Sequence, residues 1–435
     1  MNIKPRLLKG FRDYLPEQMI QRSRAIQTIR EVFESFGFVP LETPTLEYAE
    51  ILKGKMGQDA EKLLYEFKDH GERDVCMRYD LTVPLARVVA QYPELPKPFK
   101  RYQIAPVWRG ENTGKGRFRE FYQCDVDIVG TKSLLADLEC IWVGQAVMQR
   151  LGISRFKIKV SHRKLLEALA AKVGGLDAKQ VLTLFRTVDK LESQGREAVE
   201  GLLRSEVGLS DAQVAVVFEF LSISGFDGLG SFFGDSEIGR AGVADLRQLF
   251  DYAKDAGLDM SSLDIDVTIA RGLDYYTGPV FETSLLDLPD FGSVMSGGRY
   301  DGLIGFFAKQ DLPAVGISVG LDRLFAGMEQ LGLVQARSST AQVLVAQFDG
   351  KLLNHYLEIA ARLRRSGVPS ELYYQPDGLG KQLQFAEKRG IPLAVIVGEN
   401  EIAKGEVGIK VLAERRQETV PLAELEASVK KLIPS

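Results

Sequence analysis

Lys100-Arg-Tyr-Gln-Ile-Ala-Pro-Val-Trp-Arg-Gly-Glu-Asn-Thr-Gly-Lys-Gly-Arg-Phe-Arg119 is the stretch on which the reading of the fold turns. It carries six basic residues, Lys100, Arg101, Arg109, Lys115, Arg117 and Arg119, against a single acid, Glu111. Trp108 and Phe118 interrupt the arginines, Phe121 and Tyr122 follow, and the strand-like arms flank a polar tip, Glu111-Asn-Thr-Gly-Lys-Gly116. Two arms of this kind around a glycine-containing tip predict a β-hairpin with arginines on both strands. Guanidinium groups held on such a frame suit an anionic ligand, whereas a solvated charged face would need none.

Working outward, the 435-residue chain is 45% hydrophobic and 26% charged, enough apolar content for a large core and two or three domains. Its formal net charge of −4 offers no bulk attraction to nucleic acid, so such a partner has to be met locally. No apolar run approaches the roughly 20 residues of a bilayer span, and MNIKPRLLKGFRDYLPEQ lacks the apolar block of a signal peptide. The expected compartment is the cytoplasm, with no membrane partner. Cys76, Cys124 and Cys140 show no C-x-x-C spacing, and His70, His162 and His355 are dispersed. Neither a disulfide framework nor a protein-held metal site is expected.

An amphipathic helix is predicted over about 16–36, with Ile26, Ile29, Val32, Phe33 and Phe36 on one face. Strand-rich sequence runs to about residue 130, followed by a helix over 133–152 and a strand over 156–160. From about 164 to 256 the pattern is mostly helical, as in an inserted subdomain. Strands return at 264–269, 280–283 and 314–319, and a helix starts at Leu321. A first domain is therefore expected over 1–330, a polar linker over 331–340, and a small α/β domain with a largely parallel sheet over 341–435. That last segment has 13 basic and 12 acidic residues, so its charge does not name a ligand.

Two motifs fail on inspection. Gly316-Ile-Ser-Val-Gly320 fits the G-x-S-x-G elbow, but a hydrolase would need a later acid and histidine, available only as Asp322, Glu329 or Asp349 with His355. Val315, Ile317 and Val319 meanwhile alternate as one face of a strand. Asp377-Gly-Leu-Gly-Lys381 lacks the upstream glycine of a phosphate loop and is followed by Gln382 where Ser or Thr is required. What survives is Arg109, Arg271 and Arg323 at strand edges, with Arg271-Gly-Leu-Asp-Tyr-Tyr-Thr-Gly278 and Ser296-Gly-Gly-Arg-Tyr-Asp-Gly302. This set suits a polyphosphate held by side-chain cations instead of backbone amides.

Leu8-Lys-Gly-Phe-Arg-Asp13, a motif 1-like stretch around Pro44, a motif 2-like region over 101–130, the signatures at 271–278 and 296–302, and a motif 3-like segment over 316–324 occur in one order. Together they resemble the class II aminoacyl-tRNA synthetases and, across essentially the full chain, the histidyl-tRNA synthetase family. The resemblance implies an α+β class II catalytic domain with a six-stranded antiparallel sheet flanked by helices. It further implies a helical insertion, a C-terminal α/β anticodon-binding domain, and a homodimer assembled partly through motif 1. The implied reaction joins L-histidine to ATP as histidyl-adenylate, with Mg2+ on the departing pyrophosphate, and then moves histidine to the 3′ end of tRNA(His).

Carried over by position, the resemblance implies that Arg109, Glu111, Arg117, Phe121 and Arg323 bind ATP: Arg109 at the α-phosphate, Glu111 at the adenine edge, Phe121 stacked on the base and Arg323 at the far phosphates. Arg271 would touch both the histidine carboxylate and the α-phosphate, so Arg109 and Arg271 are the implied catalytic pair. Asp80, Thr82 and Gln123 would accept the α-ammonium, and Asp127 and Tyr276 would bracket the imidazole, with Tyr275 and Tyr300 as walls. Asp80 and Asp127 stand where some members carry glutamate, and the tip Asn112-Thr-Gly-Lys115 departs from the Arg-Pro-Gln type of many bacterial members. The alternative is a non-catalytic relative, the synthetase-like regulatory subunit of ATP phosphoribosyltransferase, which lacks the C-terminal domain and typically has a degraded 271-type signature. A class II synthetase for threonine, proline or glycine is a second alternative, against which the Tyr-Tyr pair and Asp127 favour imidazole.

Overall fold

Side chains alternate across a strand, so a sequence that alternates polar and apolar residues gives a sheet with two unlike faces. The computed structural model of the chain describes residues 3–54, 61–114, 116–269, 276–308, 311–334, 338–375 and 377–433. Lys115, Arg271 and Tyr275 lie outside them. The chain forms two compact units, Met1–Arg12 with Ala25–Leu333, and Asp13–Arg24 with Val334–Ser435.

The strands of the first unit are β1 (Val39–Pro40), β2 (Leu46–Tyr48), β3 (Glu66–Lys68), β4 (Asp74–Met77), β5 (Phe99–Trp108), β6 (Glu120–Val129), β7 (Phe156–His162), β8 (Leu263–Ile265), β9 (Pro279–Leu285), β10 (Met295–Arg299) and β11 (Ala314–Gly320). The main sheet has the order β1-β5-β6-β11-β10-β9-β7-β8, and β2-β4-β3 form a small separate sheet. From β5 to β7 the six strands are antiparallel, as expected. Two short parallel strands, β1 and β8, extend the edges.

The registers fix which residues share a face. Arg101 stands opposite Asp127, Gln103 opposite Asp125, and Asp125 in turn opposite Ser318. Arg101, Gln103, Gln123, Asp125, Asp127 and Ser318 thus project to one side, and Tyr102, Cys124, Val126, Ile128, Ile317 and Val319 to the other. The apolar side meets the helix Leu134–Arg150, capped by the Ser133 side chain on the Leu135 amide. A Cβ on Gly144 of that helix would lie 3.3 Å from Ile317 Cδ1, so glycine brings helix and sheet close together. Each fully buried Val or Ile on this face contributes roughly 1.5–3 kcal/mol. Arg299, at the end of β10, ion-pairs with the buried Asp137 of the helix and donates to the carbonyls of Thr131 (2.9 Å) and Ser133 (3.1 Å).

The helical insertion runs from Arg163–Val173 through Glu237–Asp255. Capping boxes start two of its helices, Asp177 with Gln180 and Ser210 with Gln213. At its base the buried His162 contacts Asp245 at 3.2 Å, and Lys164 contacts the same carboxylate at 2.6 Å. Hydrogen bonding from His162 and Lys164 pulls Asp245 down to about 2, while burial lowers His162 and keeps it neutral.

In the second unit, β12 (Val343–Val345), β13 (Ser370–Leu372), β14 (Leu393–Ile396), β15 (Glu406–Val411) and β16 (Arg416–Pro421) form a sheet ordered β13-β12-β14-β15-β16. The expectation of a largely parallel sheet is corrected: β13, β12 and β14 are parallel, but β15 and β16 run antiparallel. β16 is mostly solvent-exposed and polar, so no apolar alternation announced it. Gln382 is fully buried and donates to the carbonyls of Gln347 and Asp377, both at 2.6 Å. Its amide is a backbone staple, in keeping with its misfit to a phosphate loop.

Space on the polar face is limited. A Cβ at Gly316 would stand 2.1 Å from Asp127 Oδ1 and 2.7 Å from the Val126 carbonyl. Gly316→Ala is expected to lower stability by about 1–3 kcal/mol through this overlap. Gly201→Ala, in a helix with nothing within 4 Å, serves as the control and is expected to be neutral or stabilising by up to about 1 kcal/mol. Urea unfolding midpoints check both.

Candidate active site

The hairpin expected over 100–119 is β5 and β6, whose connection carries Arg109 and Arg119 at its base. The Arg109 amide donates to the Arg119 carbonyl (2.9 Å), the Arg119 amide to Gly10 (2.9 Å), and the Gly110 amide to Leu63 (2.8 Å). The loop is therefore pinned on two sides by backbone bonds. Across the sheet, β11 ends at Gly320 and turns directly into the helix Leu321–Gln330, which places Arg323 in its first turn.

These elements enclose a cleft of ≈ 240 Å³ lined by Arg109, Glu111, Arg117, Phe121, Gln123, Ser296, Ser318, Asp322 and Arg323, among others. Five predicted nucleotide residues, Arg109, Glu111, Arg117, Phe121 and Arg323, therefore meet in one place, and Gln123 joins them. Arg109 donates to the Tyr79 carbonyl (3.1 Å) and lies over the rings of Tyr79 (4.3 Å) and Phe121 (5.1 Å). Glu111 stands 3.9 Å from it. Arg323 donates to the Ser293 carbonyl at 2.8 Å, and the Arg117 side chain is exposed. Of the two acids, Asp322 is already engaged by Arg12 (2.5 Å) and by the Tyr122 amide (2.7 Å). Three arginines with one largely uncommitted acid make the cleft cationic.

A second group of predicted residues gathers around Asp127. The fully buried Arg101 bonds Asp127 Oδ2 at 2.6 Å and the Leu81 carbonyl at 3.0 Å. Asp80 Oδ1, one turn away, accepts from the amides of Thr82 (3.2 Å) and Val83 (3.0 Å), starting the helix Thr82–Gln91. The phenol that donates to Asp127 is Tyr300, so Tyr300 is more than a wall. Tyr276 lies close to Gly298, where a Cβ would come within 3.1 Å of its ring. Burial raises Asp127 despite Arg101, raises Asp80 despite its amide bonds, and, with Asp127 adjacent, raises Tyr300 well above the usual phenol.

Asp125 links the two groups and was not singled out in sequence. Burial, and less strongly Asp127, push it up to about 7 against the pull of Arg101. Ser318 hydrogen-bonds to it and accepts from Gln123 Nε2 at 2.7 Å, which makes the G-x-S-x-G serine part of this polar network. The pattern Gln123-x-Asp125-x-Asp127 carried the signal, since period two aligns all three. For Arg12 and Asp322 no local signal exists, because 310 positions separate them.

A six-stranded antiparallel sheet whose polar face is roofed by an arginine-bearing hairpin and by the helix after the last strand is the catalytic framework of a class II aminoacyl-tRNA synthetase. The family described as histidyl-tRNA synthetase matches residues 10–324, and the anticodon binding domain family matches residues 342–432. A histidine–tRNA ligase of Rhodopirellula baltica is 46% identical over 424 residues, 96% of each chain, and one of Wolinella succinogenes is 42% identical over 439 residues, 99% of this chain and 98% of the other. The crystal structure of histidyl-tRNA synthetase from Nostoc superposes with a TM-score of 0.89 at 32% identity, covering 99% of this chain and 100% of that one. The chain belongs to the histidyl-tRNA synthetase family.

Asp125 also generates a pH dependence. Its carboxyl, ordinarily near 3.8, holds its proton to about 7 when folded, so its favourable contribution is full below about pH 4 and is lost as pH rises through 7. Asp125→Asn stays neutral throughout. Its unfolding free energy, relative to the parent chain, is expected to rise by roughly 2–4 kcal/mol between about pH 4 and pH 8, as followed by urea titrations across that range.

Proposed function

We propose that the chain activates L-histidine with ATP and transfers the histidyl group to the 3′ end of tRNA(His), as a cytoplasmic homodimer. The observation that carries this reading is the cationic cleft on the polar face of the sheet, in a chain of this family. The match to an anticodon-binding domain supports a tRNA partner and disfavours the regulatory-subunit alternative. The exposed Val39, Leu46 and Tyr48, beside Pro44, support a homodimer through the motif 1-like stretch. No helix among the described residues is long and apolar enough to cross a membrane. We assign the catalytic domain to 1–330, with its insertion at about 164–256, and the anticodon-binding domain to 341–435 after a linker at 331–340.

In activation, a histidine carboxylate oxygen attacks the α-phosphorus of ATP in line and pyrophosphate leaves. Negative charge spreads over the phosphoryl oxygens, and Arg109 and Arg271 hold it, with Arg271 also gripping the carboxylate. Arg109 lies beside Phe121, so one nucleotide can place its α-phosphate on the guanidinium and its base on the ring, with Glu111 at the adenine edge. Arg323, and Arg117 from the loop, take the outer phosphates. Asp80, Thr82 and Gln123 accept the α-ammonium. Asp127, Tyr276 and Tyr300, with Tyr275, surround the imidazole, and their paired donors and acceptors reject isosteres that leave buried polar atoms unmatched. In transfer, a terminal ribose hydroxyl of the tRNA attacks the adenylate carbonyl and AMP departs.

Mg2+ travels with the nucleotide. Among the described residues no cluster of three or more His, Cys, Asp or Glu side chains is arranged to hold an ion. Glu111 and Asp322 are the acids of the cleft wall, so phosphate and water oxygens would supply most ligands, and the ion would neutralise pyrophosphate charge.

Pyrophosphate exchange into ATP is expected to depend on L-histidine alone among the amino acids. Exchange absent with histidine, or specific for another amino acid, overturns the reading. Arg109→Ala and Arg271→Ala are each expected to slow exchange by about 100- to 1,000-fold while leaving the urea midpoint near that of the parent chain. Equal loss of stability would assign them to the fold instead.

A further inference from the structure

The polar face of the sheet contains a carboxylate with unused bonding capacity. Asp125 is 3% exposed, and its Oδ1 has no hydrogen-bond partner. A buried carboxylate left in this state is unfavourable unless it keeps a proton or meets a cation. The charged groups that act on it are Asp127 on the same strand, Asp80 in the turn before the helix Thr82–Gln91, and Arg101 on β5, while Ser318 faces it from β11. Arg101 is already bonded to Asp127 and to the Leu81 carbonyl. Three carboxylates therefore surround Arg101, whose Nε and Nη1 also have no hydrogen-bond partner, and Arg109 acts on Asp80 alone of the three, so acids still outnumber cations in the enclosure.

Position says which cation would fill it. Asp125 is joined through Ser318, by two successive hydrogen bonds, to Gln123, and both Ser318 and Gln123 line the cleft. A ligand ammonium beside Gln123 has three donors, directed to Asp80, Thr82 and Gln123, and Asp125 Oδ1 would share one of them as a further, anionic acceptor that the fold has left open. We propose that Asp125 is a binding residue for the α-ammonium of the amino-acid substrate, accepting it at Oδ1, and that Asp125 surrenders its own proton to solvent as the ammonium arrives. This rests on the reading that the chain binds histidine. Proton and cation exchange places at the same carboxyl, so charge within the enclosure is conserved. The pH at which Asp125 titrates, about 7 in the free protein, makes the exchange measurable near neutrality.

The test is titration calorimetry on the full chain with L-histidine, and with its deamino analogue imidazolepropionate, at about pH 6.5 in two buffers of different ionisation enthalpy. Asp125→Asn is expected to weaken histidine by about 10- to 100-fold and to release fewer protons per histidine than the parent chain. It should leave imidazolepropionate nearly unchanged. Protons lost by the ligand's own imidazole are common to both proteins and cancel in the comparison. Asp125→Ser repeats the measurement with a smaller neutral side chain, and unfolding midpoints confirm that each variant is folded. Histidine binding with parental affinity and proton count overturns the proposal, as does an equal loss for both ligands, which would make Asp125 a structural residue. If the parent chain binds imidazolepropionate but not histidine, or neither, the histidine reading fails first and the proposal with it.

Discussion

The first unit depends on a sheet that buries both faces when only one of them is apolar. Val126, Ile317 and Met295 pack against the helix Leu134–Arg150 as an ordinary core would. On the opposite face Gln123, Asp125 and Asp127 are each less than 9% exposed. Burial of that kind is tolerable only if every polar atom is matched. Arg101 meets part of the requirement, since its Nη2 reaches β6 through Asp127 and the helix start through Leu81. Gln123 Oε1, Asp125 Oδ1 and Arg101 Nε and Nη1 are left without hydrogen-bond partners, so the residual mismatch is concentrated on this one polar face.

Nucleotide binding is built differently from the glycine-rich loops that surround phosphates with backbone amides. Here the backbone amides of the loop are spent on holding the loop itself, through Gly10, Leu63 and Arg119. That leaves side chains to meet the anion, and arginine suits this because its planar fork keeps its charge in any surroundings. The cost is that long side chains must be steadied. Carbonyls do this for two of them: Tyr79 accepts from Arg109, and Ser293 accepts from Arg323.

Much of this was legible in sequence where pattern and chemistry coincide. The grouping of Arg109, Glu111, Phe121 and Arg323 was implied by the family resemblance, whereas the hairpin, the helical insertion and the strand at 314–319 follow from charge, aromatic spacing and periodicity. β10 did not, because Ser296, Gly297 and Gly298 have no strand propensity; glycine is there because a Cβ at Gly297 would lie 2.2 Å from the Gly316 carbonyl. β16 was hidden by exposed polar residues, and its pairing is set by the preceding hairpin, where Arg415 adopts a positive φ of 53°. Tyr300 was expected only as a wall of the imidazole site, because no sequence pattern shows that its hydroxyl reaches Asp127 across 173 positions. Arg271 and Tyr275 rest on the motif.

The bond between Arg12 and Asp322 spans 310 positions. A ribosome adding roughly 5–20 residues per second needs about 15–60 s to cover that interval. Throughout this time the N-terminal segment has been made but the residue that fixes it beside the hairpin has not. Of the residues that line the cleft, Asp322 and Arg323 emerge last, so a nascent chain cannot assemble the nucleotide pocket early. Long-range closure of this sort slows folding, and it also ties competence to completion: a truncated product that ends before residue 322 retains the hairpin arginines yet lacks the wall that converts them into a site.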